Sequence, residues 1–113
     1  MIKIICLGKI KEKYLNDLIN DYQKRITKYH KIEIIELKDE NNLEKEKNNI
    51  LKYINIQDYV IALDIDGENL TSIELAQKID KIFLTNGTII FIIGSSEGLH
   101  SDIKQRADYR LSF

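Results

Sequence analysis

The sequence predicts an α/β protein with a mostly parallel, five-stranded sheet flanked by helices. Short apolar runs alternate with segments whose apolar residues recur every three or four positions, and the pattern extends over all 113 residues. Residues 88–93 are all β-branched or aromatic, which is typical of a strand covered on both faces. Because no linker, repeat or low-complexity segment interrupts the alternation, we expect residues 1–113 to form a single domain.

The first half of the chain predicts two strands and two helices. The apolar runs at residues 2–7 and 32–37 predict the strands, and Gly8 closes the first of them. Between them, residues 11–28 carry the stripe of an amphipathic helix. That stripe comprises Leu15, Leu18, Ile19, Tyr22, Ile26 and Tyr29. The polar stretch 39–47 is interpreted as a loop leading into a helix with Ile50, Leu51 and Ile54 on one face.

A third strand and a capped helix follow. Residues 59–65 predict the strand, which the Asp66-Gly67 turn is expected to end. Thr71 and Glu74 have the spacing of a capping box, in which each side chain accepts a hydrogen bond from the backbone N–H of the other residue. The helix that this box opens has one apolar side and is stopped by Asn86-Gly87. That side consists of Leu75, Ala76, Ile79, Ile82 and Phe83.

The last part of the chain predicts two strands around a glycine loop. The run 88–93 is the fourth strand, and residues 94–98 form a tight loop. A short helix is expected at 99–107 and a fifth strand at 109–113. Strands that alternate with helices indicate a parallel sheet with right-handed crossovers.

Composition excludes several classes of protein. The formal net charge is −1, so any contact with nucleic acid must come from local patches. Cys6 is the single cysteine, which excludes a disulfide within the chain and a Cys-based zinc site. No apolar run reaches the length of a membrane span. We expect a reducing, cytoplasmic location with no membrane partner, and Cys6 as a small buried apolar residue.

Ligands of open α/β sheets bind beyond the carboxyl ends of the strands. Two such ends are rich in glycine or acidic residues: 63–67 after the third strand and 93–99 after the fourth. Neither contains the dinucleotide fingerprint or a P-loop. On spacing alone, a plain strand-to-helix turn explains the glycine loop equally well.

Six segments, in order and with similar spacing, resemble the ribosomal large-subunit methyltransferase H family of SPOUT, or α/β-knot, methyltransferases. The specific ones are the G-S-S-E-G-L-H block, which starts at Gly94, and the terminal L-S-F. The segments are Gly8–Tyr14, Asp21-Tyr22-x-Lys24-Arg25, Ile34–Leu37, Leu63–Glu68, Phe91–Leu99 and Ala107–Phe113.

The resemblance implies transfer of a methyl group from S-adenosylmethionine to N3 of a pseudouridine in large-subunit ribosomal RNA. It maps the family's cofactor contacts onto Leu63, Gly94 and Phe113, and it implies a homodimer. Ser95 stands where the family usually has a second glycine. The family's last cofactor loop and final helix would follow Phe113, so we expect the C-terminal knot segment to be missing and activity to be weak or absent.

Two alternatives to this enzyme are a non-enzymatic binding or oligomerisation module, as a relic of a methyltransferase, and a flavodoxin-like nucleotide binder. The catalytic base is not identified by the sequence. Glu97 and His100 are candidates by position, although surface roles explain both. Lys9, Lys11 and Lys13 are candidate RNA phosphate contacts, with a solvated face as the equal alternative.

Asp64 and Asp66 raise the question of a metal site. The two carboxylates resemble a metal pair, but no third ligand is near them in sequence. We therefore predict no metal site, and we interpret Asp66-Gly67 as a turn.

Overall fold

The computed structural model describes residues 1–8, 20, 31–94 and 98–112. In these residues five strands and three helices follow one another in the predicted alternation. The predicted helix at 11–28 lies outside the described residues apart from Asn20. The elements are β1 (Ile2–Leu7), β2 (Ile32–Leu37), α1 (Leu43–Leu51), β3 (Tyr59–Asn69), α2 (Ser72–Ile82), β4 (Ile89–Ile93), α3 (Ser101–Arg106) and β5 (Tyr109–Ser112).

The five strands form one sheet in the order β2-β1-β4-β3-β5. Each neighbouring pair in this order runs parallel, which confirms the predicted parallel α/β architecture. All carboxyl ends of the strands therefore lie along one edge of the sheet, called here the carboxyl edge. The described residues do not test the knot.

Each face of the sheet packs against its own apolar cluster, as a parallel sheet requires. On one face, α2 covers β1, β3, β4 and β5 through Leu75, Ile79 and Ile82. On the other face, Ile50 of α1 and Ile103 of α3 pack on Val60, Ala62, Ile90 and Ile92. Cys6 is 2% exposed, which confirms its prediction as a buried apolar residue.

Helix α1 begins earlier than predicted. The stretch 39–47 was expected to be a loop, but the helix starts at Leu43 because the Asn42 side chain caps it, accepting a hydrogen bond from Lys45 N at 3.1 Å. Of its predicted apolar face, Ile50 is buried, whereas Leu51 is exposed and Ile54 lies beyond the helix end. Polar composition concealed the first turn of this helix.

Strand β3 continues past the predicted turn at Asp66-Gly67, so that prediction was wrong. Leu63 and Glu68 both pair with Leu111 of β5, and residues 64–67 arch out between these two pairings. At Gly67 a Cβ atom would lie 2.7 Å from the carbonyl carbon of Arg110, so only glycine lets the chain return to β5. The strand is therefore interrupted by a bulge rather than ended by a turn.

The capping box of α2 forms as predicted. Thr71 Oγ1 accepts a hydrogen bond from Glu74 N at 3.1 Å, and Glu74 Oε1 accepts one from Thr71 N at 3.0 Å. The second of these bonds favours the ionised carboxylate, and hydrogen bonding from Thr71 lowers the pKa of Glu74. The cap fixes where the chain leaves the carboxyl edge after β3.

Candidate functional site

Leu63 lies in β3 and Gly94 directly follows the neighbouring strand β4, both toward the carboxyl edge. Strands β3 and β4 pair in a register that sets Ile61 beside Phe91 and Ala62 beside Ile92. One step further along this register, Leu63 reaches the end of β4, where Gly94 follows Ile93. The sheet topology thus brings together two residues that are remote in sequence. Phe113, the third predicted cofactor contact, lies outside the described residues.

At Gly94 the chain folds back closely on itself. A Cβ atom there would lie 2.7 Å from the carbonyl oxygen of Gly98, closer than any side chain tolerates. Gly98 has φ +84, a conformation that favours glycine. Both glycines of the loop are therefore required by its backbone, although residues 95–97 lie outside the described residues.

These residues place an apolar side chain near a tightly folded backbone segment. Leu63 is half-buried and packs on the cluster that α2 covers, so it supplies an apolar surface at the edge. Gly94 adds a partly exposed backbone segment beside the Leu99 side chain. Apolar walls with a few convergent polar groups are typical of cofactor sites.

Asp64 has partners that the sequence did not indicate. Its side chain is only 5% exposed, and Oδ2 lies 3.6 Å from Lys104 Nζ and 3.7 Å from Arg110 Nη1. The surroundings are cationic, which does not suit the metal pair considered with Asp66. No sequence pattern indicates these contacts, because they depend on how β3, α3 and β5 come together.

A pocket of about 220 Å³ opens beside this group. Lys104 and Arg110 line the pocket. Tyr109 and Glu68 line it too, and Tyr109 Oη donates a hydrogen bond to Glu68 Oε2 at 2.9 Å. Lys78 Nζ lies 4.0 Å from the centre of the Tyr109 ring. The pocket is lined by Gly67, Glu68, Lys104, Ala107, Asp108, Tyr109 and Arg110.

His100 caps helix α3 and binds α1. Its Nδ1 accepts a hydrogen bond from Asp102 N at 3.0 Å, so Nε2 carries the proton and donates to Glu44 Oε2, also at 3.0 Å. The pKa of Glu44 is lowered, first by its hydrogen bond from Lys47 and further by His100. Both ring nitrogens are thus engaged, which disfavours His100 as the base.

Four other candidate residues lie outside the described residues: Glu97, Lys9, Lys11 and Lys13. In the part of the chain that the structure describes, no helix is long and apolar enough to cross a membrane. No group of three potential metal ligands is found among the described residues either.

Comparison with known proteins identifies the family. The family model described as predicted SPOUT methyltransferase matches residues 1–113. The chain belongs to the SPOUT methyltransferases. Both the recognised resemblance and the α/β fold class are thereby confirmed.

Several curated relatives share the whole of this SPOUT methyltransferase chain. The ribosomal RNA large subunit methyltransferase H of Streptococcus uberis is 50% identical over 125 residues, covering 99% of this chain and 79% of the relative. Proteins of the same name from Clostridium botulinum and Caldicellulosiruptor saccharolyticus are 47% and 41% identical, with 99% and 100% of this chain and 79% of each relative covered. The match to this chain thus spans 79% of the length of each of these relatives.

Proposed function

We propose that this SPOUT methyltransferase transfers a methyl group from S-adenosylmethionine to large-subunit ribosomal RNA, at N3 of a pseudouridine. The relatives' names support the RNA substrate, and their identity extends over 99% or more of the chain. The observation that carries the proposal is the parallel pairing of β3 with β4 as far as Ala62 and Ile92, because continuing this register sets Leu63 beside the end of β4, next to Gly94 in sequence. The nucleoside and the donor are those that the motif resemblance implies.

The donor would be held by the ends of β3 and β4. Leu63 would offer apolar contact for the adenosine, and the partly exposed backbone at Gly94 would offer hydrogen bonds that need no side chain. Phe113 is proposed as a third contact. When bound, S-adenosylmethionine supplies an electrophilic methyl group on a sulfonium, and the protein contributes chiefly by orienting the donor and acceptor.

The acceptor nitrogen must lose its proton, so a base or an oriented water is required. Glu97 is the stronger of the two candidates, since His100 uses both ring nitrogens in capping α3 and binding Glu44. Lys9, Lys11 and Lys13 follow β1 and are proposed to contact RNA phosphates. We also propose that the enzyme works as a cytoplasmic homodimer.

Calorimetry with S-adenosylhomocysteine tests the donor site directly. We expect a Kd of about 1–10 μM, and transfer of label from S-adenosylmethionine to an rRNA stem-loop that contains pseudouridine, at the low rate that the motif resemblance implies for this chain. The same stem-loop with N3-methylpseudouridine in place of pseudouridine is the matched control and should accept no label. Absence of binding at millimolar ligand would instead favour the non-enzymatic module.

A further inference from the structure

A nearly buried carboxylate links three elements at the carboxyl edge. Asp64 directly follows Leu63 in β3, and its Oδ2 lies within 4 Å of Lys104 on α3 and of Arg110 on β5. The carboxylate is shielded, with 5% of its side chain exposed, whereas the side chains of Lys104 and Arg110 are 36% and 52% exposed. The two cations therefore converge from the surface on one charge held inside.

The same aspartate begins the arch in β3. Residues 64–67 form the extra segment between the pairing of Leu63 with Leu111 and that of Glu68 with Leu111. The far end of the arch is fixed by Gly67, which lies against the backbone of Arg110 and Leu111. The near end has the contacts of Asp64 with Lys104 and Arg110. An arch held at both ends has a defined position relative to the end of β4.

Charge, rather than packing alone, accounts for this hold at the near end. A carboxylate removed from solvent requires compensating partners, and the two cations provide them. If the carboxylate is neutralised, the charged groups of Lys104 and Arg110 can be solvated by water, because both side chains are partly exposed. Neutralising Asp64 should therefore release the arch without leaving buried, unpaired cations.

We propose that Asp64 is a positioning residue of the methyl donor site. By its ion pairs with Lys104 and Arg110 it fixes the arch 64–67, and with it the position of Leu63 opposite the end of β4. The aspartate acts through this geometry and makes no contact with the reacting atoms. This role rests on the proposed function, because it presupposes that Leu63 and Gly94 bind the donor.

The test measures the Kd of S-adenosylhomocysteine by calorimetry in the full chain and in three variants. Asp64→Asn should weaken binding about tenfold, while Asp64→Glu, which keeps the charge, should recover most of the affinity. Glu68→Gln is the matched control. It removes a charge from the pocket beside the Asp64 ion pairs yet keeps an acceptor for Tyr109 Oη, and its Kd should stay within about twofold of the wild type.

Substitution of Arg110, an ion-pair partner of Asp64, tests the same role independently. Arg110→Gln removes a half-exposed cation, so the protein should fold, and the Kd should rise about threefold or more. Circular dichroism melts of every variant ensure that the comparison is made between folded proteins. Retention of wild-type affinity by Asp64→Asn or by Arg110→Gln would overturn the role of Asp64, as would equal weakening by Asn and Glu.

The two proposals fail in different ways. If the wild-type chain does not bind S-adenosylhomocysteine, the proposed function fails, and the role of Asp64 fails with it. If the wild type binds and the variants bind equally well, only the role of Asp64 is lost.

Discussion

At the scale of single residues, Gly94 is the most constrained position described at the site. A Cβ atom would meet Gly98 O at 2.7 Å and Gly98 C at 2.8 Å, and both are backbone atoms that cannot rotate away. We expect Gly94→Ala to lower the free energy of unfolding by about 1–3 kcal/mol, because the loop must shift to admit the methyl group. Urea denaturation measures this difference, and calorimetry should show lost affinity for the donor.

Gly87→Ala is the control for that substitution. Nothing lies within 4 Å of a Cβ atom at Gly87, and its φ is not in the left-handed range. Its free energy of unfolding should therefore change by less than about 0.5 kcal/mol. Equal losses at the two glycines would show that the tight approach at Gly94 is not what constrains it.

Individual residues were predictable to different degrees. The choice of Leu63 and Gly94 as donor contacts came from the family resemblance and stays a prediction, whereas the strand ends on which they lie left a local signature. The partners of Asp64 left none, since Lys104 and Arg110 reach it only after α3 and β5 have packed beside β3. Interactions between remote segments need the topology as well as the sequence pattern.

At the scale of elements, helix α3 depends on His100 for its start. Replacing this residue with Asn should preserve the cap, because the Asn side chain also accepts a hydrogen bond at that position. We expect His100→Asn to retain methyl transfer within about twofold at saturating substrates, whereas removal of a true general base costs about 10²–10⁴-fold. Initial rates across a pH series measure the difference.

His100→Ala completes that comparison. It removes the cap acceptor and should cost about 1 kcal/mol in the free energy of unfolding, yet leave the rate of the folded enzyme unchanged. A rate reduced by orders of magnitude in both folded variants would restore His100 as a candidate base.

Element boundaries show where sequence patterns fall short. The bounds of β1 and β2 were predicted correctly because Gly8 closes β1 and lysines flank β2 on both sides, at Lys31 and Lys38. The start of α1 was missed because a polar first turn resembles a loop until its Asn42 cap is recognised. The extension of β3 was missed because Asp66-Gly67 is usually a turn, and only pairing with β5 turns it into a bulge.

At the scale of the whole molecule, the thiol of Cys6 reports on global unfolding. It lies in β1 between β2 and β4, and burial, with a smaller contribution from Glu36, raises its pKa from 9.0 to about 11. We expect iodoacetamide to react very slowly at neutral pH in the native protein and rapidly in urea, because the native thiol is both protonated and covered. Mass spectrometry of the alkylated chain measures both rates.

The raised pKa of Cys6 also makes the free energy of unfolding depend on pH in the alkaline range. Because the folded pKa lies above the unfolded value, the protonated thiol favours the folded state, and this contribution is complete below pH 9 and lost as pH rises toward about 11. A Cys6→Ala variant should lack this part of the alkaline decline. In the alkylation experiment, rapid reaction of iodoacetamide with the native protein at pH 7 would contradict the buried position of the Cys6 thiol.

The parallel sheet was predictable as a whole, but its strand order was not. Alternation of strands and helices determines the fold class, since parallel strands require crossovers. The order β2-β1-β4-β3-β5 depends on which edges meet, and that information is distributed over the whole chain. In this order β4 and β3 are adjacent, and only the strand order reveals that their carboxyl ends are neighbours.

The interior position of β1 has a consequence for biosynthesis. A nascent chain emerges from its amino end, so β1 appears first, yet one of its edges stays unpaired until β4 is made, since Ile2 pairs with Ile89. Until then, amide and carbonyl groups on that edge offer a template for wrong partners. The β1–β4 pairing cannot form until β4 has been translated. During this interval the unpaired edge of β1 is exposed to wrong pairing, and binding of a chaperone to it would be most useful.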